Sequence, residues 1–86
     1  MYRYYFNPRS LKQLKKLNKS VQLLIINWLD KHLQNTDNPR RHGKPLVANH
    51  SGEWRYRVGD YRVLAYIHDD VIEIEVIQVG HRREIY

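Results

Sequence analysis

Between Gly52 and Ile67 the chain reads Gly-Glu-Trp-Arg-Tyr-Arg-Val-Gly-Asp-Tyr-Arg-Val-Leu-Ala-Tyr-Ile, two runs of alternating character around Gly59-Asp60. Glycine and aspartate both tolerate the positive φ of a two-residue turn, so the stretch predicts a β-hairpin. With that turn, Val58 faces Tyr61, Arg57 faces Arg62, Tyr56 faces Val63, Arg55 faces Leu64 and Trp54 faces Ala65. Successive side chains point to opposite faces of a strand. One face therefore collects Trp54, Tyr56, Val58, Tyr61, Val63, Ala65 and Ile67, and the other collects Arg55, Arg57 and Arg62. The first is a core and the second a cationic cluster. Like charges directly opposite one another destabilise a sheet, so Arg57 against Arg62 implies that an anion lies over them.

The rest of the chain supplies what that core face must pack against. Tyr2 to Phe6 is aromatic and favours a strand; it stops at Asn7-Pro8, where asparagine caps a helix whose first turn accepts proline. From Pro8 to Leu17 the apolar residues Leu11, Leu14 and Leu17 form a narrow helical stripe. Asn18-Lys19 interrupts it, Ser20 is the expected cap of the next helix, and Val21, Leu24, Ile25, Trp28, Leu29 and Leu33 follow at helical spacing. Asn35 to Ser51 holds too many breakers for a regular element. After the hairpin, a turn at Asp69-Asp70 leads into a last strand in which Ile72, Ile74 and Val76 join the core face, with Glu73 and Glu75 on the arginine side. The expected fold is α+β, a single domain over residues 1–86. Its order is strand, helix, helix, then three strands, with a helical hairpin on one face of an antiparallel sheet and the other face largely open.

Charge narrows the partners. There are 15 Lys+Arg against 9 Asp+Glu, a formal net charge of +6. Such a balance favours nucleic acid, an anionic surface or an acidic protein partner. With no cysteine, disulfides and thiolate metal sites are excluded. The chain shows no signal-peptide pattern and no apolar run near the ~20 residues of a membrane span; a cytoplasmic protein without membrane contact is expected. Arg40, Arg41 and Lys44 make the long loop basic, and with Arg83 they are the candidate RNA contacts. Their bland alternative is a solvated loop surface.

The last strand delivers Arg82, with His81, Arg83 and Tyr86 nearby, to the end of the sheet where Arg57 meets Arg62. Guanidinium groups bind phosphate bidentately and stay charged, so a phosphodiester fits. His81 and Tyr86 are the side chains suited to exchange a proton beside it. No metal-ligand spacing and no glycine-rich phosphate loop is present, and no cofactor is expected. Cleavage without a metal is simplest when the substrate carries its own nucleophile, as RNA does in its 2′-hydroxyl. Each member has an ordinary explanation: a half-buried strand often alternates arginine with aromatics, a lone histidine is commonly structural, and a tyrosine at residue 86 would fray. The cluster outweighs its members. His32, His42, His50 and His68 are scattered and receive no role.

Three segments carry a resemblance. Gly43 to Leu46 (Gly-Lys-Pro-Leu), Gly52 to Val63, and Val79 to Tyr86 (Val-Gly-His-Arg-Arg-Glu-Ile-Tyr) resemble, in order and spacing, the RelE branch of the RelE/ParE toxin superfamily. The resemblance implies a toxin of a type II toxin–antitoxin pair that enters the A site of the 70S ribosome and cuts messenger RNA, leaving a 2′,3′-cyclic phosphate. It also implies neutralisation by a RelB-like antitoxin. By position, the family's basic residues fall on Arg55, Arg57, Arg62 and Arg82, and its closing tyrosine on Tyr86. Some relatives carry lysine at Arg55 and Arg57; arginine does not give up its proton, which leaves His81, with an ordinary pKa of roughly 6.5, as a substitute base. Two other readings are a ParE-like gyrase poison without nuclease activity and a non-catalytic RNA-binding module.

Overall fold

A computed structural model describes residues 1–46 and 52–84. Its elements, in chain order, are β1 (Arg3–Phe6), α1 (Pro8–Lys15), α2 (Lys19–His32), β2 (Lys44–Pro45), β3 (Glu53–Val58), β4 (Tyr61–His68) and β5 (Glu73–His81). Among the described residues two helices pack on one mixed sheet of strand order β1-β5-β4-β3-β2. The α+β fold is the one expected, with a correction: the sheet is not antiparallel throughout, because β1 runs parallel to β5. A parallel pair needs a long connection, and here everything from α1 to β4 provides it.

The first helix is shorter than its stripe suggests and is capped as expected, whereas the second starts earlier, from a different cap. Asn7 caps α1, its side-chain oxygen accepting the Ser10 N–H at 2.8 Å. For α2 the cap is Asn18, not Ser20: Asn18 Oδ1 accepts from Val21 N at 3.0 Å and from Ser20 Oγ at 2.7 Å. Asparagine is as good a cap as serine, and taking the earlier one adds two residues, about half a turn, to the helix. Ile25, Leu29 and Leu33 are fully buried, whereas Leu24, expected in the core, is 48% exposed. The core joins those residues and Leu14 to Tyr56, Val58, Val63, Ala65, Ile74, Val76 and Val79 from the sheet.

The hairpin register is as the sequence predicts, from Glu53↔Tyr66 through Arg57↔Arg62 to Val58↔Tyr61. β5 departs from expectation twice. The turn before it extends to Ile72, which is exposed rather than in the core and has φ +49°, a conformation β-branched residues rarely adopt. A bulge then interrupts the ladder: Ala65 pairs with Val76 but Leu64 pairs with Gln78, leaving Ile77 as an extra residue. Ile77 packs with Leu46 and Leu64 in a small apolar cluster, so the face opposite the helices is not simply open.

Past Phe6, β1 no longer covers the edge of β5, and α1 takes over. Ser10, fully buried, donates from Oγ to the Val76 carbonyl at 2.7 Å, and Gln13 Oε1 accepts the Val79 N–H at 2.8 Å. Buried backbone groups left without a partner are costly, so two polar side chains of α1 fix the stretch of β5 leading to Gly80 and His81. No helix among the described residues is long and apolar enough to cross a membrane.

Candidate nucleic-acid site

Alternation along β3 and β4, with Tyr56, Val58 and Val63 in the core, sends Arg55, Arg57 and Arg62 to the opposite face. Arg57 pairs directly with Arg62, and Arg62 with Gly80, so this row runs two guanidinium side chains beside a residue with none. Beyond the hairpin turn the chain leaves β5 at the same end. There the Arg82 N–H donates to the Asp60 carbonyl at 2.9 Å, and the Arg82 guanidinium lies 4.0 Å from the Asp60 carboxylate. Both side chains of that pair are exposed, and a pair of this kind is worth little in water; a phosphate would compete for the arginine.

The structure thus gathers Arg55, Arg57, Arg62 and Arg82 at one end of the sheet. It does not bring His81 to their face. Because of the bulge, His81 pairs with Tyr61, and the two rings meet edge to face at 5.4 Å beside Leu17, on the helix side. Its Nδ1 accepts the Arg83 N–H at 3.2 Å, which in the neutral ring leaves the proton on Nε2. Tyr86 lies outside the described residues, as do His50 and Ser51.

The basic loop divides between two tasks. Arg40 forms a bidentate bridge to Asp69, at 3.1 and 2.9 Å, and the Tyr2 hydroxyl donates to the same carboxylate at 2.6 Å. Those bonds hold the Asp69 carboxyl down to about 2 from an ordinary 3.8, and they tie Arg40 to the β4–β5 turn, the far end of the sheet from Arg57. Arg41 bridges Asp37 at 3.0 Å. Lys44, by contrast, pairs with Arg55 across β2 and β3 and adds to the arginine end. Glu73 and Glu75 share the arginine face but lie toward the other end; Glu75 Oε1 sits 2.9 Å from His68 Nε2, and its other oxygen accepts from Asn7. The face is therefore basic at one end and acidic at the other.

What the sequence reading missed is how the loop is pinned against β3. Gly43 has φ +81°, and a Cβ there would fall 2.2 Å from the Arg55 carbonyl oxygen. Trp54 Nε1–H donates to the His42 carbonyl at 2.6 Å, and the buried Tyr56 hydroxyl to the Pro39 carbonyl at 2.7 Å. Where the loop closes on α2, the Trp28 ring lies 4.5 Å from that of His32 and 5.8 Å from that of His42. Burial, followed by the nearby His42 and Lys31, lowers the His32 pKa from its ordinary 6.5. The only sequence signal was a glycine next to a lysine-proline pair in a polar loop.

The family model for the ParE toxin of the type II toxin–antitoxin system ParDE matches residues 4–86. Toxin RelG of Mycobacterium tuberculosis is 30% identical over 81 residues, covering 94% of this chain and 91% of that protein. Toxin RelE of the same organism is 32% identical over 75 residues, covering 87% and 75%. Among solved structures, the toxin–antitoxin complex RelBE2 of M. tuberculosis contains a chain that superposes with a TM-score of 0.86 at 28% identity, covering 94% of this chain and 91% of that one. The isolated E. coli RelE toxin, at 22% identity, shares the fold with a TM-score of 0.72, covering 94% and 84%. On this sheet, with these arginines at its end, the chain belongs to the RelE/ParE family of type II toxin–antitoxin toxins and is of the RelE type.

Proposed function

We propose that this toxin is an endoribonuclease that cuts messenger RNA in the ribosomal A site and needs no metal to do so. The observation that carries the reading is the row Arg57–Arg62–Gly80 with Arg82 at its end: cations held opposite one another on a rigid sheet, next to a residue without a side chain. Such a row suits the charge that builds on a phosphoryl group under in-line attack. In the step proposed, the 2′-hydroxyl of the nucleotide loses its proton and its oxygen bonds to the adjacent phosphorus. The bond to the 5′-oxygen breaks, and that oxygen takes up a proton. The products are a 2′,3′-cyclic phosphate and a free 5′-hydroxyl, with no other reactant consumed.

Arg55, Arg57, Arg62 and Arg82 would stabilise the phosphorane-like charge, and Tyr86, by family position, would take part in proton transfer. We assign His81 a positioning part: its Nδ1 and carbonyl accept the Arg83 and Glu84 amides, shaping the turn that carries Arg82. Lys44 and Arg83 would contact RNA, whereas Arg40 and Arg41 already hold carboxylates. A RelB-like antitoxin is the proposed partner, a reading supported by the similar toxin being solved in a toxin–antitoxin complex.

Primer extension on messenger from cells expressing the toxin tests this. Cuts phased with codons are expected, and Arg62→Ala or Arg82→Ala should each slow cleavage by about 100-fold, as loss of one oxyanion donor does. Tyr86→Phe should slow it as well. DNA damage signalling with intact messenger would instead favour the gyrase-poison reading, for which the ParE family match speaks. Binding without cleavage would leave an RNA-binding module.

A further inference from the structure

Among the described residues no strand pairs with the edge of β3 beyond Lys44, and between that edge and α2 lies a cavity of about 420 Å³. Its walls are of two kinds. Lys44, Arg55 and Arg57 supply cations; Trp28 and His42 supply flat rings. Trp28 is only half-buried, although Ile25 and Leu29 of the same helix are fully covered. Its indole packs against Tyr56 at 5.7 Å and also lines the open space. The slot is preformed, since the Gly43 backbone and the bonds from Trp54 and Tyr56 fix the loop that bounds it.

A planar π surface flanked by guanidinium groups matches the two halves of a nucleotide, a base that stacks and a phosphate that pairs. An acidic peptide would use the cations and leave the rings idle; an apolar side chain would do the reverse. Arg57 belongs both to this cavity and to the row with Arg62, so the slot is one strand spacing, about 4.8 Å, from the site described above. We propose that it is a nucleobase subsite: the base of the nucleotide next to the scissile phosphate stacks on Trp28, with the His42 ring, at 73° to the indole, closing on the edge of the base, and that nucleotide's own phosphate lies on Lys44. This deepens the ribonuclease reading and rests on it for the identity of the ligand.

The test is a nuclear magnetic resonance titration of the purified toxin with AMP, with ribose 5-phosphate and with inorganic phosphate. AMP is expected to move the Trp28 indole N–H resonance and to bind roughly tenfold or more tighter than ribose 5-phosphate, the usual worth of one stacked base. Trp28→Leu should remove that advantage while leaving ribose 5-phosphate binding unchanged. If that variant does not fold, His42→Ala serves, because the Trp54 bond goes to the His42 backbone and not to its ring. Equal affinity for AMP and ribose 5-phosphate overturns the proposal, as does a Trp28 resonance that AMP leaves unmoved. Neither result involves cleavage, so the subsite can fail while messenger is still cut. A toxin that binds AMP at Trp28 yet leaves messenger intact fails the other reading instead.

Discussion

At Gly43 the backbone takes φ +81° with its Cα pressed toward the Arg55 carbonyl and the Trp54 and Tyr56 rings, so both conformation and space demand glycine. Gly43→Ala should destabilise the fold by about 2 kcal/mol or more, since a strained φ alone costs on the order of 1–3 kcal/mol and the clash adds to it. Urea unfolding would measure the change, and wild-type stability would show that the loop can lift from β3 without consequence. The same residue marks a limit of sequence reading. Arg55, Arg57 and Arg62 were legible because Gly59-Asp60 fixes a two-residue turn, and from it every cross-strand pair follows. Gly43 and Trp28 were not, because their meaning depends on α2 and β3 meeting across the sheet edge. Leu24 read as core because its spacing fits, yet helical spacing does not say how wide the covered stripe is.

Among the elements, β5 departs most from its pattern, and the reason is a single residue. Alternation through Ile74 and Val76 is regular, and no composition cue announces that Ile77 is extra. With the bulge, Val79 is buried and His81 meets Tyr61; without it, the alternation after Val76 would invert. His81 was therefore expected beside the arginines and stands on the helix side. Deleting Ile77 alone should give a regular pleat with the same pairs, Val79 and His81 still on the helix side, so cleavage should stay near the original rate. Deleting Ile77 and Gln78 together should invert the strand after Val76, turn His81 toward Arg62 and carry Arg82 to the helix side. Cleavage should then fall by about 100-fold, as for loss of a charge-stabilising donor, and displacing Val79 from the core should cost roughly 1.5–3 kcal/mol. A two-residue deletion that cuts messenger at the original rate would show that the alternation of β5 does not aim the site.

For the molecule as a whole, acid should act in two stages. The His32 pKa is lowered on folding, chiefly by burial, so the folded chain resists protonation there. The associated stability is present above the ordinary 6.5 and declines as pH falls below it. Asp69 is also lowered, by Arg40 and Tyr2; its contribution holds above the ordinary 3.8 and is lost as pH falls through about 2. Thermal melting against pH should show both losses, the first absent in His32→Gln and the second in Asp69→Asn; an unchanged acid limb in Asp69→Asn would mean that the Tyr2–Asp69–Arg40 tie does not stabilise the fold. Both amplitudes should be modest, because the Arg40–Asp69 pair is exposed. The parallel pairing of β1 with β5 also bears on the order of synthesis. The first strand made has its partner in the last described strand, and α1 packs on that same partner. Contacts so distant along the chain slow folding. Until β5 has been translated, β1 lacks its ladder partner, α1 lacks the strand it packs on, and the arginine row lacks Gly80 and Arg82. Under the ribonuclease function proposed above, the ribosome that makes this toxin carries a chain whose site is complete only once the last strand of the sheet has been made.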